Sequence, residues 1–342
     1  MGGVPTISRL IIVPILALAP LLALGHHSNA EYDSSVVREL QGEVVSVSWR
    51  NPHVRMVLRA ENADGTSTLW DLEAQDINSL GRRGLDGSLI NVGDTVRVAG
   101  SASTIRANNM SISNVLLPDG TEISIRGNPQ PRWSTENIGF VRGTVEEALA
   151  AAGQGEGLFR VWMNAGPGGF PAQLPLTATA RAASGAYDPA DDPTMQCIAS
   201  GMPAAMRISP PHPIDLTEQG DSIILRAELF DIVRTIHMDS DADASEQPVS
   251  VLGYSVGHWE GGTLVVRTTR IDWPHFDHLG VIPQSDAVEA SERFTVSDDG
   301  NQLMYELTVS DPATFTESVS GRWVLGWRPD MTVEPYECIA EE

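Results

Sequence analysis

The sequence predicts an all-β chain: a five-stranded OB-like barrel followed by a larger antiparallel β-barrel (lipocalin-like) or a deep sandwich. Three observations predict it. From residue 37 onward, most segments alternate apolar and polar residues, the period of a half-buried strand. Gly, Pro, Asn and Asp punctuate these segments at short intervals, as tight turns require. The first part reads three strands, a helix and two strands, the order of a small OB-type barrel.

Residues 1–25 read as a signal peptide. Arg9 supplies the positive n-region, and "LIIVPILALAPLLAL" (10–24) is an apolar run of h-region length. It is short for a membrane span and is broken by Pro14 and Pro20, so no stable span is expected after cleavage. Ala23 and Gly25 fit a cut before His26; a cut after Ala30 satisfies the same small-residue rule. The chain is therefore expected in the periplasm or secreted. Its formal charge is −23 and it contains no lysine, so a phosphate backbone would be repelled and nucleic acid is not an expected partner.

The first domain is expected over 26–125. "VRELQGEVVSVSW" (37–49), "HVRMVLRA" (53–60) and "STLWDLEA" (67–74) read as strands joined at an Asn51–Pro52 turn and an "ADG" hairpin signal. "DINSLGRRG" (76–84) reads as a short helix capped by Asp76 and ended by Gly84. "GDTVRVAGSAS" (93–103) and "MSISNVLLPDG" (110–120) complete the set. Residues 126–156 read as a linker, with a short helix at 144–153. The second domain is expected over 157–342. Its segments are 158–163, a helix near 176–184, then strands at 222–229, 232–238, 250–261, 263–271, 290–297, 302–310, 320–327 and 332–340. Turn signals join most of them, which implies antiparallel neighbours, in an up-and-down barrel or a deep sandwich.

Cys197 and Cys338 are the only cysteines, and in an oxidising compartment they are expected to form one disulfide. Closing a loop of about 140 residues is worth about 5 kcal/mol by the chain-entropy argument.

Several stretches carry a resemblance. "HHSNAEYD" (26–33), "VSWRNPHVRMVL" (47–58) and "LPDGTEI" (117–123) resemble a family of exported domains of unknown function with HHS and NPH motifs. The second half resembles uncharacterised exported bacterial proteins through "AYDPADDPTMQC" (186–197), "SDAVEASERF" (285–294), "TVSDPATFT" (308–316) and a G-x-S-x-G-x-W-E-G-x-T-L-V-V motif (253–266). It departs from that second pattern at "SDADASEQP" (240–248), where a basic, glycine-bearing turn is usual, and at Gly262, where an aspartate is usual. Neither resemblance implies a reaction.

Three constellations could carry chemistry. A mature N-terminal His26, with His27 and His53, would suit copper, because amine and imidazole nitrogens favour it; otherwise the two leading histidines are a processing remnant. "RIDWPHFDHLG" (270–280) packs Asp272, His275, Asp277 and His278 together, a set that suits zinc or iron, or general acid–base work without metal; otherwise Trp273 and Phe276 simply close one end of the barrel. Glu292 is expected to point inward on its strand and to need a partner, Arg234 or Arg267; a structural bridge is the alternative to a catalytic carboxylate. His258, Trp259, Trp273 and Arg293 are further candidates for contact with a bound molecule. No nucleophile elbow, P-loop or dinucleotide fingerprint is present.

Three functions fit: an exported binding protein for a small molecule held in the second barrel; an exported metalloprotein or metal-assisted enzyme using His275/His278 or His26; or a structural envelope protein. Whether the chain is an enzyme, and its oligomeric state, stay open.

Overall fold

A computed structural model describes residues 32–62, 64–127, 129–140, 157–188, 191–206, 212–238 and 241–340. The expected signal peptide, His26, His27 and the helix expected at 144–153 lie outside them.

The first barrel is built from β1 (Arg38–Ser48), β2 (Arg55–Glu61), β3 (Ser67–Glu73), β4 (Thr95–Ala102) and β5 (Asn109–Leu116). β1 pairs with β2 and β4 antiparallel, β2 with β3, and β4 with β5. A parallel contact between β3 and β5 closes the ring. Alternation decides the inside: Met56, Leu58 and Ala60 of β2 are buried while Arg59 and Glu61 are exposed. Helix α1 (Ile77–Gly81) sits between β3 and β4 as the sequence predicts. Asp76 caps it, accepting from the Ser79 N–H at 2.8 Å, and Gly84 follows with φ +73°. Short strands β6 (Glu122–Ser124) and β7 (Asn137–Ile138) extend the sheet.

The second barrel is closed and has nine strands. They are β8 (Val161–Asn164), β9 (Ile214–Gln219), β10 (Ser222–Ala227), β11 (Ile232–Met238), β12 (Tyr254–Glu260), β13 (Thr263–Thr269), β14 (Glu289–Val296), β15 (Gln302–Ser310) and β16 (Val319–Trp327). Helix α2 (Ala178–Gly185) lies in the long connection between β8 and β9. Closure settles the choice between barrel and sandwich. Every neighbouring pair is antiparallel except β11 and β12, which run parallel. The two-residue turns at 220–221 and 261–262 lie at one end. The segments 228–231, 250–253, 270–288 and 311–318, with the long β8–β9 connection, gather at the other, the loop end.

Two expectations are corrected. β9 has no counterpart in the sequence reading, because only Ile214 and Leu216 mark its inward face before the pattern turns polar. Conversely, 332–340 is not a strand. It runs as a strap with one isolated bridge, Asn51 to Cys338, because Pro335 lacks an N–H and Glu337 has φ +45°. The disulfide forms as expected: Cys197 and Cys338 are joined, with Cα atoms 5.7 Å apart.

Candidate functional site at the loop end of the second barrel

The interior of the second barrel is where the sequence predicts a bound molecule. Strand alternation turns Arg234 (β11), Ser255 (β12), Thr268 (β13), Glu292 (β14) and Tyr305 (β15) inward, and all five are buried. Arg234 grips Glu292 with both terminal nitrogens, Nη1 to Oε1 at 2.9 Å and Nη2 to Oε2. Its Nε donates to Ser255 Oγ at 3.0 Å and its Nη2 to Thr268 Oγ1 at 2.7 Å, while the Tyr305 hydroxyl donates to Glu292 Oε1 at 2.9 Å. Burial works against the Arg234 charge, but the facing carboxylate outweighs it and raises its pKa. The Tyr305 phenol is pushed well up by burial and by Glu292. Every strong donor and acceptor is satisfied, so this part of the barrel is a polar core plug. Arg267, the other partner considered for Glu292, points outward to Glu289 at 2.8 Å.

Aromatic rings continue from the plug toward the loop end. Centroids run Phe294–Tyr305 (4.8 Å), Tyr305–Trp323 (5.4 Å), Trp323–Phe170 (5.5 Å), Phe170–Phe276 (4.9 Å) and Phe276–Phe315 (4.9 Å). Phe276 and Trp273 are buried, so the 270–280 segment closes this end. Asp277 organises that segment: its carboxylate accepts from the N–H groups of Leu279 (3.0 Å), Val281 (3.3 Å) and Ile282 (2.6 Å). His275 packs edge-on to Trp273 at 5.4 Å, and burial lowers its pKa against the pull of the Asp277 charge. Asp272 is exposed. His275, Asp277 and His278 do not gather into a ligand set: among the described residues no three His, Cys, Asp or Glu side chains are grouped so as to hold a metal ion.

Beside this closed end lies a cluster that joins the two barrels. His212 is buried, with Nδ1 3.1 Å from Glu228 Oε1 and Nε2 3.6 Å from Asp76 Oδ2. Glu228 is wholly buried and also pairs with Arg82, which follows α1 in the first barrel. Burial would push the Glu228 carboxyl up, but hydrogen bonds from His212 and Arg82 hold it below its ordinary value. The strap covers the cluster. Tyr336 packs edge-on to His212 and to Phe230, each at 5.4 Å, and burial followed by the charges of Asp76, Glu228 and Asp231 raises its phenol pKa. Asn51 of the NPH turn fastens the strap to the first barrel. Its side-chain amide donates to the Tyr336 carbonyl and to Asn78 Oδ1 (2.8 Å), and its backbone carbonyl accepts from Ile339 N–H at 3.2 Å.

Between this cluster, the 270–280 segment and residues 194–205 the barrel mouth encloses a cavity of about 50 Å³. Ser200, Ala204, Ala205, His212, Ile214, Ala227 and Ile232 give it buried walls; Thr194, Leu229, Phe230 and His278 form a half-buried rim. Phe230 and Asp231 are consecutive left-handed residues, φ +59° and +54°, neither a glycine. Such a conformation costs about 1–3 kcal/mol per residue and concentrates at ligand clamps. The disulfide stands next to the same cavity, Cys197 lying between Thr194 and Ser200.

The remaining candidates lie elsewhere. His258 and Trp259 are exposed near the tight-turn end, Trp259 packing edge-on to Phe159 at 6.4 Å. Arg293 faces outward and donates to Glu260 at 2.9 Å; it helps line an open groove of about 490 Å³ on the outer face of β14–β16. His53 has Nδ1 3.5 Å from Glu73, and burial lowers its pKa despite that carboxylate. Of the candidates named from sequence, only His278 borders the cavity. His212, Glu228, Asp76 and Ser200 were not singled out. Asp76 reads only as a helix cap, and His212, followed by Pro213, matches no motif; their meeting is made by tertiary structure alone.

Residues 15–110 match the model of a family described as "Family of unknown function (DUF6152)". No curated protein matches the chain. Among solved structures, the fluorescent protein UnaG, in a mutant form, is similar at 16% identity over 33% of this chain and 69% of that one, with a TM-score of 0.21. A likeness this loose transfers no feature of that protein to this chain.

Proposed function

We propose that this chain is an exported, soluble binding protein that holds a small molecule at the loop end of its second barrel, with the first barrel docked beside the mouth. The observation that carries the reading is the cavity: it is walled by buried, mostly apolar residues and rimmed at Phe230 by left-handed backbone. Export is supported by the apolar leader over 1–25 and by the Cys197–Cys338 bond, which an oxidising compartment favours. No helix among the described residues is long and apolar enough to cross a membrane.

The test is a thermal-shift and native-mass screen of small organic compounds against the full mature chain and against Ala204→Leu, which fills the cavity. Compounds that raise the melting temperature of the wild type and leave Ala204→Leu unmoved support the site. Binding that is equal in both, or absent from both, rejects it.

A further inference from the structure

We infer that the outer face of β13–β16 is a second binding site, separate from the mouth, and that it takes a neutral oligosaccharide. Two open hollows adjoin there. One, of about 490 Å³, lies over β14–β16 and is walled on its far side by residues 169–171, which run past β16 from the bridge Gly169–Arg322. The other, of about 370 Å³, lies over the loop-end parts of β13 and β14, beside the turn at 243–245. They meet on β14, where Glu289 lines one and Ser291, the next outward residue, lines the other.

Strand register sets two outward rows across the larger hollow. Ser291, Thr308 and Ser320 stand side by side as a row of hydroxyls, and Thr308 and Ser320 bond each other at 2.8 Å. Arg293, Glu306 and Arg322 form the next row. Arg293 donates to Glu260 at 2.9 Å, and Arg322 Nε donates to Glu306 at 3.0 Å. These pairs fix the orientation of the guanidinium planes while leaving both arginines open to solvent. A hydroxyl both donates and accepts, and a planar fork reaches two neighbouring oxygens at once, so adjacent hydroxyls of a sugar ring are matched. The arginine stems, with Phe170 and Pro171 at the wall, offer apolar surface to the C–H face of the same ring.

Charge selects a neutral occupant. The chain carries 22 basic against 45 acidic residues. The face departs from that ratio: two arginines and one carboxylate line the larger hollow, two arginines and three carboxylates the smaller, so four stand against four. A balanced patch attracts neither a polyanion nor a polycation, and the acidic surroundings repel the former. An extended peptide has no ladder to join by strand addition, because the barrel is closed. Four strands side by side span roughly 14 Å, room for about three sugar rings.

The test is isothermal titration calorimetry of the full chain with cellotriose, maltotriose, chitotriose and trigalacturonate. At least one of the three neutral trisaccharides is expected to bind the wild type, and to bind Ser320→Trp and Arg322→Ala about tenfold more weakly. Trigalacturonate is expected not to bind. Thr235→Trp, at an exposed position of β11 outside the groove, and Ala204→Leu at the mouth should bind as the wild type does. Ser320 and Arg322 are exposed, so both variants should keep the wild-type melting temperature; should Ser320→Trp melt early, Arg322→Ala decides alone. No binding of any neutral probe, or preference for trigalacturonate, overturns the inference. A neutral probe whose affinity falls in Ala204→Leu but not in the groove variants also overturns it, by placing the sugar at the mouth.

Discussion

The Arg234–Glu292 pair shows what a single inward charge demands. Removing one partner leaves the other buried and unpaired, which costs about 3–5 kcal/mol, whereas replacing the whole group with apolar side chains of similar volume is often neutral. Glu292→Leu alone is therefore expected to lower unfolding stability by about 3–5 kcal/mol. The triple change Arg234→Met, Glu292→Leu, Tyr305→Phe is expected to recover most of it, since Ser255 and Thr268 still bond each other at 3.0 Å. Denaturant titration of the two variants decides; a triple variant no more stable than the single one would show that the network itself carries the barrel. Part of this was legible beforehand. Period-two alternation turns Glu292 inward and nominates Arg234, because a strand offers only two faces. The motif around Tyr254 is explained at the same scale. Ser255 supplies a network hydroxyl, and a Cβ on Gly257 would come within 2.8 Å of Ile236, so glycine is what lets the parallel neighbour pack closely. A pattern that resembles a signature of function is here spent on packing.

Elements that lack regular pairing are organised by carboxylates that accept backbone N–H groups. Glu122 on β6 does this for the segment leading to β7, accepting from the N–H groups of Arg132 (2.8 Å), Trp133 (2.8 Å) and Ser134 (3.0 Å) and from the Asn114 amide (2.7 Å). Burial would raise its pKa, but these bonds outweigh burial and hold it below its ordinary value. A pKa lower in the folded than in the unfolded chain means that the stabilisation is full above the unfolded value and is lost as the pH falls through the folded one. Acidification below the ordinary glutamate range is thus expected to release the segment around Trp133, whose ring lies 5.0 Å from Arg97. Trp133 is one of eight tryptophans, so the readout is the difference in fluorescence titration between the wild type and Trp133→Phe. In Glu122→Gln that acid transition should vanish; its persistence would assign it to another group. Asp277 plays the same part for the 270–280 segment. Asp277→Ala leaves three N–H donors, one buried and two part-buried, without this acceptor and is expected to destabilise by about 2–3 kcal/mol. The sequence marks both segments as irregular, but an aspartate that ties a loop and an aspartate that moves a proton look identical in one dimension. Only the count of N–H groups around the carboxylate separates them.

The two barrels are held as one molecule by contacts from distant parts of the chain: the strap on Asn51, the Glu228–Arg82 pair, the His212–Asp76 contact and the Cys197–Cys338 bond. The disulfide is the one of these that the sequence offers outright, since two cysteines have a single pairing. The others are invisible there because each joins residues more than 100 positions apart, with no periodicity to relate them. Their geometry carries a consequence for cooperativity. The disulfide anchors the strap to the connection that lines the cavity, and the strap in turn covers the His212 cluster. In the Cys197→Ser/Cys338→Ser variant the strap must hold by side-chain bonds and packing alone, and loop-closure entropy of up to about 5 kcal/mol is returned to the unfolded state. The wild type is expected to unfold in one calorimetric transition and the double variant in two, the barrels melting separately, with the second barrel shifted to lower temperature. Small-angle scattering below the first transition should then show a larger radius of gyration in the variant. A single transition at reduced temperature, with unchanged dimensions, would mean instead that the buried Arg82, His212 and Glu228 contacts suffice to join the barrels, and that the disulfide stabilises the whole without conditioning the mouth.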